Sequence, residues 1–386
     1  MSPRLFSLVL AVSAIVACAQ RDEIIAVAPD DDAGGGGVGG VGAGGSGAGG
    51  GEVVTPVTLE PPDCGGTVDG VTSGSVDAGA GDDVVVGGDG CAALYRGSEE
   101  SLSSPEILGF GEARALGLGR LETLTPAASG EPVDLVMGGA AVEIWLGDGA
   151  GSFAPHQVIV PSMPLAPGGL ALADIGGDGA LDLVTAEGPE LVLRFGLGDG
   201  TFGPEHPFAA PGGARSVVVG RLDGDALADV IVAGDAAALF VADGVGGFHM
   251  AQPIEGGDHV GAVAIGHLDD DGCLDAVGVE GRALQAGAPD ALAQLWLGDC
   301  DGHLVLHQSI PVAAPTAVAL GDFGDDGHRD VAITRDGGVT LLTLDAEAAV
   351  AAEHAVDLDG APRGAAFVDG RLVVVAGDRV VLLHAL

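Results

Sequence analysis

Leu170-Ala-Leu-Ala-Asp174-Ile-Gly-Gly-Asp178-Gly-Ala-Leu-Asp182-Leu-Val-Thr is the stretch on which the reading of this chain turns. An apolar run leads into an Asp-rich loop, and the Asp that ends the loop opens a second apolar run. Short apolar runs bounded by Gly and Asp are strands rather than helical turns. The unit continues through Leu191-Val-Leu-Arg-Phe195 into Gly196-Leu-Gly-Asp-Gly200-Thr-Phe202. Four strands, A to D, are therefore expected. The Asp loop joins A to B and the Gly-Asp-Gly turn joins C to D.

The unit recurs. The next copy is Val217-Val-Val-Gly-Arg221-Leu-Asp223-Gly-Asp225-Ala-Leu-Ala-Asp229-Val-Ile-Val. Two further loops read His267-Leu-Asp269-Asp-Asp271-Gly-Cys-Leu-Asp275 and Asp322-Phe-Gly-Asp-Asp326-Gly-His-Arg-Asp330. Weaker copies end at Asp83 and Asp134, and a last one carries Arg371 in place of the final Asp. That final loop position falls at residues 83, 134, 182, 229, 275, 330 and 371. Seven units of about 48 residues fill 52–386, and a unit of that length with several short strands is a propeller blade rather than a solenoid coil.

The last blade places A at 362–368, B at 371–376 and C at 379–384, and then has no sequence for D. The β-like run from Glu52 to Leu59 is expected to supply it and close the ring, removing an open sheet edge. The A strands are rich in Ala and Gly, as a crowded axis requires. Trp145 and Trp296 fall at equivalent C-strand positions, each before Leu-Gly-Asp. Packing between blades is the first reading of that recurrence and sugar stacking the second.

These repeats resemble the FG-GAP/VCBS family, found in the propeller of integrin α subunits and in many bacterial surface proteins. The resemblance covers about 335 residues and implies an all-β, seven-bladed β-propeller. Its loops have the chemistry for calcium, which takes 6–8 oxygen ligands. The candidate ligands are Asp174, Asp178 and Asp182; Asp322, Asp326 and Asp330; Asp269, Asp271 and Asp275; and Asp223, Asp225 and Asp229. No loop is complete. Gly176 and Gly324 stand at the third position of two loops, and Arg221 and His267 at the first position of the others. Arg221 is expected to replace the metal by pairing with the carboxylates. Calcium is expected to brace the blades and to take no part in catalysis.

The N-terminus has the form of an export signal over 1–17, with Arg4 before an apolar run from Leu5 to Val16. Ile15-Val16-Ala17-Cys18 resembles the lipobox of bacterial lipoproteins, which implies acylation of Cys18. Residues 18–51 include a tract with almost no apolar payload and read as a disordered Gly-rich tether. The propeller is expected over 52–386. Four Cys remain, an even number in an exported chain. By the face on which each connection emerges, Cys64 pairs with Cys91 and Cys273 with Cys300.

Fourteen basic residues stand against 56 acidic ones, for a net charge of −42. There is no Lys. Nucleic-acid binding is excluded by charge, and Walker and Schiff-base chemistry by the missing Lys. Serine-hydrolase, zinc-protease and haem motifs are missing too. His156, His206 and His249 read as exposed positions rather than a metal cluster. The expectation is a non-enzymatic, monomeric, lipid-anchored module of the bacterial envelope that binds a protein or glycan. The alternatives are a propeller enzyme acting on polysaccharide or phosphorylated substrates and a purely structural envelope component.

Overall fold

The computed structural model describes residues 55–59, 62, 66–77, 81–98, 101–123, 133–280, 291–323 and 329–384. The export signal, Cys18, the tether, Cys64 and Asp326 lie outside the described residues. Every element described is a β-strand.

The strands form seven antiparallel sheets. The innermost strands are Val68–Gly74, Ala115–Gly119, Leu170–Ala173, Ser216–Gly220, Val260–Gly266, Pro315–Gly321 and Pro362–Val368. Each touches the innermost strand of the blade before and after it, and the first touches the seventh. The result is a closed, seven-bladed β-propeller. Strand B of every blade begins at the expected residue: Asp83, Asp134, Asp182, Asp229, Asp275, Asp330 and Arg371.

The third blade looks three-stranded because its B and C strands form one run, Asp182–Gly196. The run doubles back on itself. Thr185 Oγ1 donates to the Val192 carbonyl at 3.4 Å, whereas residues seven apart in an extended strand lie roughly 23 Å from each other. A buried ion pair fixes the hairpin, with Arg194 Nη1 2.8 Å from Glu187 Oε1. The Ser162 amide donates to Glu187 Oε2 at 2.6 Å, tying in the linker from blade 2. Burial pushes the Glu187 carboxyl up, but the bonds from Arg194 and Ser162 outweigh it and hold the group below its ordinary range.

The seventh blade closes as expected. Thr55–Thr58 pairs antiparallel with Arg379–His384, the seventh C strand, in the register Thr55↔His384. Arg371 replaces the usual Asp here and reaches across the seam, its Nη2 donating to the Ser98 carbonyl of blade 1 at 3.2 Å. It also lies 3.5 Å from Asp369. Its Nε and Nη1 are buried without a partner.

Small residues let the blades meet at the axis. Most innermost strands end in Gly, and the next blade's penultimate innermost residue fills the space a side chain would take. Leu118 lies against Gly74, Leu172 against Gly119, Ile265 against Gly220 and Leu320 against Gly266. Phe367 packs so tightly on Gly321 that an added Cβ would fall inside its ring contact. The aliphatic core is therefore shared between blades rather than confined within them.

Gly321→Ala is expected to lower stability by about 1–3 kcal/mol, the usual cost of overpacking a filled core. Urea unfolding measures it. An unchanged midpoint would show that Phe367 can swing away at no cost.

Candidate functional site

The A–B loops and C–D turns emerge on one face of the ring. On that face lie the Asp residues that open the B strands, each buried although charged. Their carboxylates are held by backbone amides on two sides. Asp182 Oδ2 accepts from the Ile175 and Gly176 amides at 2.9 and 3.0 Å, and Oδ1 accepts from Gly196 at 2.8 Å. Asp229 accepts from Leu222 at 2.8 Å and from Ala242 at 2.9 Å. Asp275 accepts from Leu268 at 2.6 Å and from Gly298 at 2.9 Å. Asp83 does the same with Val76 and Gly97, and Asp134 with Leu121 and Gly147. Asp330 accepts from Phe323 at 2.7 Å. In the first five blades the carboxylate thus joins the A–B loop to the end of strand C of the same blade. Such charge-assisted bonds are about twice as strong as neutral ones.

The loops also bond between blades. The Gly200 amide in the third C–D turn donates to the Leu121 carbonyl of blade 2, and Gly302 of blade 5 donates to Leu222 of blade 4. In blade 7 the A–B connection is a tight turn at Asp369 and Gly370. There the Arg371 side chain makes the crossing to blade 1 instead.

A family model for the FG-GAP-like repeat matches residues 177–232, from the third Asp loop through the fourth B strand. The match and the ring of seven blades agree. The chain is a seven-bladed β-propeller that carries an FG-GAP-like repeat. Similar solved structures share its fold at low identity. One is a lectin from Agrocybe aegerita, described as specifically recognising non-reducing terminal N-acetylglucosamine. It is 17% identical, with 80% of this chain and 81% of that one covered and a TM-score of 0.52. Another is BBS1N in complex with ARL6DN, 12% identical, with 86% and 96% covered and a TM-score of 0.55. No curated protein matches the sequence.

The loops of this propeller treat their remaining carboxylates much alike. Asp174 Oδ1 accepts from Gly177 and Asp178, its Oδ2 accepts from Gly179, and Asp178 accepts from Ala180. Asp223 caps Asp225, and Asp225 caps Leu227. Asp269 caps Asp271, and Asp271 caps Cys273. Among the described residues no three His, Cys, Asp or Glu side chains are gathered as a metal cluster.

The first loop position sets two blades apart. His267 Nδ1 lies 2.8 Å from the Cys273 carbonyl, so the imidazole links positions one and seven of the fifth loop as a cation would. Arg221 departs from expectation, forming no ion pair with Asp223, Asp225 or Asp229. Asp223 and Asp225 each accept one loop amide, and nothing in the structure explains why the guanidinium pairs with neither.

Cys273 and Cys300 form the expected disulfide between the fifth A–B loop and its C–D turn. Cys91 is also disulfide-bonded. His156, His206 and His249 are exposed, as expected. Trp296 Nε1 donates to the Glu255 carbonyl of blade 4 at 2.7 Å, and Trp145 lies against Gly109 of blade 1. Both bridge to the preceding blade. Sequence reasoning missed the Glu187–Arg194 pair, whose members fall in apolar runs with no motif, and it missed Glu143 beside Trp145.

Burial pushes Asp182 up to about 6, against three amide bonds that pull it down, and the nearby Asp174 adds to the rise. Burial likewise raises Asp134, Asp229 and Asp275. The C–D turn Asp residues go the other way. Amides of Ser152 and Ala150 hold Asp148 below its ordinary value, and the Thr201 hydroxyl and amide do the same for Asp199.

Because the folded pKa of Asp182 lies above its unfolded one, its titration contributes stability that is full below pH 3.8 and lost as pH rises through about 6. Asp182→Asn turns an amide NH2 towards backbone donors and is expected to cost about 1–3 kcal/mol. That cost should shrink as pH rises across the window. Chemical unfolding of both proteins from pH 4 to 7 checks the sign. A cost that grows with pH would mean that the three amides, not burial, set this pKa.

Proposed function

We propose that this propeller is a binding module of the cell envelope, exported, anchored through acylated Cys18, and presenting a protein- or glycan-binding surface. The observation that carries the reading is the fate of the acidic residues. The buried carboxylates face backbone amides and brace the ring, so their recurrence is explained by architecture rather than by acid–base chemistry. Relatives of the same fold support it by analogy, since one is a lectin and another was solved in complex with a protein partner. Strong net negative charge favours neutral or cationic ligands over anionic ones.

Calcium belongs to the same proposal, at the third loop. Asp174 and Asp178 flank Gly176 there, and the charge of Asp174 bears on Asp182, a repulsion that a cation would relieve. Bound calcium would supply positive charge and a shared oxygen-ligand centre. The fifth loop fits less well, because His267 holds the position-seven carbonyl.

The full chain, displayed on glycan and peptide arrays with calcium present, is expected to bind members of one array saturably. Silence on both, with hydrolysis of a polysaccharide or phosphoester, would overturn the reading in favour of an enzyme. Expressed in a bacterium fed a labelled fatty acid, the protein is expected to take up label, and Cys18→Ala to lose it and leave the membrane fraction. An unlabelled parent protein would remove the anchor from the proposal. Calcium at a hundredfold excess over Kd is expected to add about 2.7 kcal/mol of stability. A melting temperature equal with calcium and with chelator would strike calcium and leave the propeller standing.

A further inference from the structure

Glu143 and Trp145 lie two apart on strand C of blade 2, Val142–Gly147, and so share one face of the sheet. Both lie against the end of the outer strand of blade 1, Trp145 at Gly109 and Glu143 at Gly111, the residue that follows the strand. The Trp145 ring lies over Gly109, its nearest atom 3.2 Å from where a Cβ would stand. At Gly111 an added Cβ would meet a single atom within 4 Å, Glu143 Oε1 at 3.9 Å. Apart from its chain neighbours, no other described atom comes that close to the position.

Blade 5 holds the same positions in the opposite state. Trp145 pairs with Leu135, and Trp296 with Ala276, each the second residue of strand B, so the two indoles are equivalent. Trp296 is 1% exposed. Its Nε1 donates to the Glu255 carbonyl, and Gln294, at the position of Glu143, donates to the Gly256 carbonyl. Backbone of the neighbouring blade seals that seam. In blade 2 the indole is only half-buried. Its Nε1 donates to Glu143 Oε2 at 3.1 Å. The bond orients the carboxylate and leaves Oε1 on the Gly111 side without a hydrogen bond of its own. Val158, directly across from Glu143, is 65% exposed.

We propose that the seam between blades 1 and 2 is a saccharide-binding subsite. A half-buried aromatic ring, an exposed aliphatic and an oriented carboxylate acceptor match the two faces of a hexose. The apolar C–H face packs on Trp145 and Val158, and a ring hydroxyl donates to Glu143 Oε1. The ring is also preorganised, since Trp145 packs against the shared core of blades 1 and 2 beside Leu108 and Phe153. Glu143 and the net charge of −42 disfavour acidic sugars, so the ligand is a neutral hexose or N-acetylhexosamine. The subsite rests on the reading of the propeller as a binding module and gives that reading a place and a ligand class.

The chain has two Trp, which makes the test direct. In the full chain carrying Trp296→Phe, Trp145 is the sole indole emitter. Maltotriose, mannotriose, galactotriose and the N-acetylglucosamine trimer are titrated against it. One of them is expected to give a saturable blue shift. Glu143→Ala and Val158→Asp, both at surface-facing positions, should each weaken it about tenfold. Should Trp296→Phe fail to fold, the two indole N–H signals in the NMR spectrum of the parent protein give the same readout, with only one signal moving. Silence of Trp145 towards all four sugars overturns the subsite, as does a shift indifferent to Glu143 and Val158. Array binding by the intact protein with Trp145 silent would sink the subsite and spare the binding module. Arrays silent on glycans and peptides alike would sink the module.

Discussion

A buried carboxylate between two sets of backbone amides is the interaction on which the blades depend. Where strand A ends, the chain must turn, and the turn leaves N–H groups that no strand satisfies. The end of strand C leaves another on the far side. One Asp at the start of strand B has lone pairs enough for both. Burying its charge is costly alone, but the amides that surround it are donors it would otherwise have to find in water. The same residue thus closes the loop, fixes the end of strand C and sets the length of the blade. Blade 7 shows the rule by exception. Its A–B turn is too tight to offer loop amides, Arg371 stands where Asp would, and the side chain turns outward to the next blade.

The ring was legible because this interaction recurs in sequence. An Asp every 46 to 51 residues through the first five copies gave the first residue of strand B in each blade, and Arg371 gave the seventh. The last three strands, the closing N-terminal strand and the Cys273–Cys300 bridge followed from counting strands outward from that residue. The direction of the carboxylates was not legible. Spacing records where an Asp lies along the chain, and the same spacing serves an amide clip and a cation loop. Arg221 was read as a partner for carboxylates with which it forms no ion pair. His267 was read as a defect in a cation loop, whereas it bridges the loop. The Glu187–Arg194 pair left no trace because a lone charge in an apolar run has no partner visible until the hairpin folds.

The division between ring and seam has a consequence for function. The ring is built from repeated devices, the Asp clip and the Gly pocket at the axis, and these are shared by nearly every blade. Recognition needs what the blades do not share. Among the described seams, the one between blades 4 and 5 is sealed by backbone hydrogen bonds to Trp296 and Gln294, while that between blades 1 and 2 is floored with glycine and carries a free carboxylate oxygen. Solved relatives only 12–17% identical keep the same fold. The fold alone therefore does not fix what a seam binds.

The claim that backbone amides hold the buried Asp residues with or without a cation is tested most directly by amide hydrogen exchange with calcium removed by chelation. The account predicts slow exchange at Ile175, Leu222, Leu268, Gly196, Ala242 and Gly298, the donors to the buried Asp residues, whether calcium is present or not. Fast exchange at these amides in chelator, slowed only when calcium is restored, would contradict it and make the cation the primary brace.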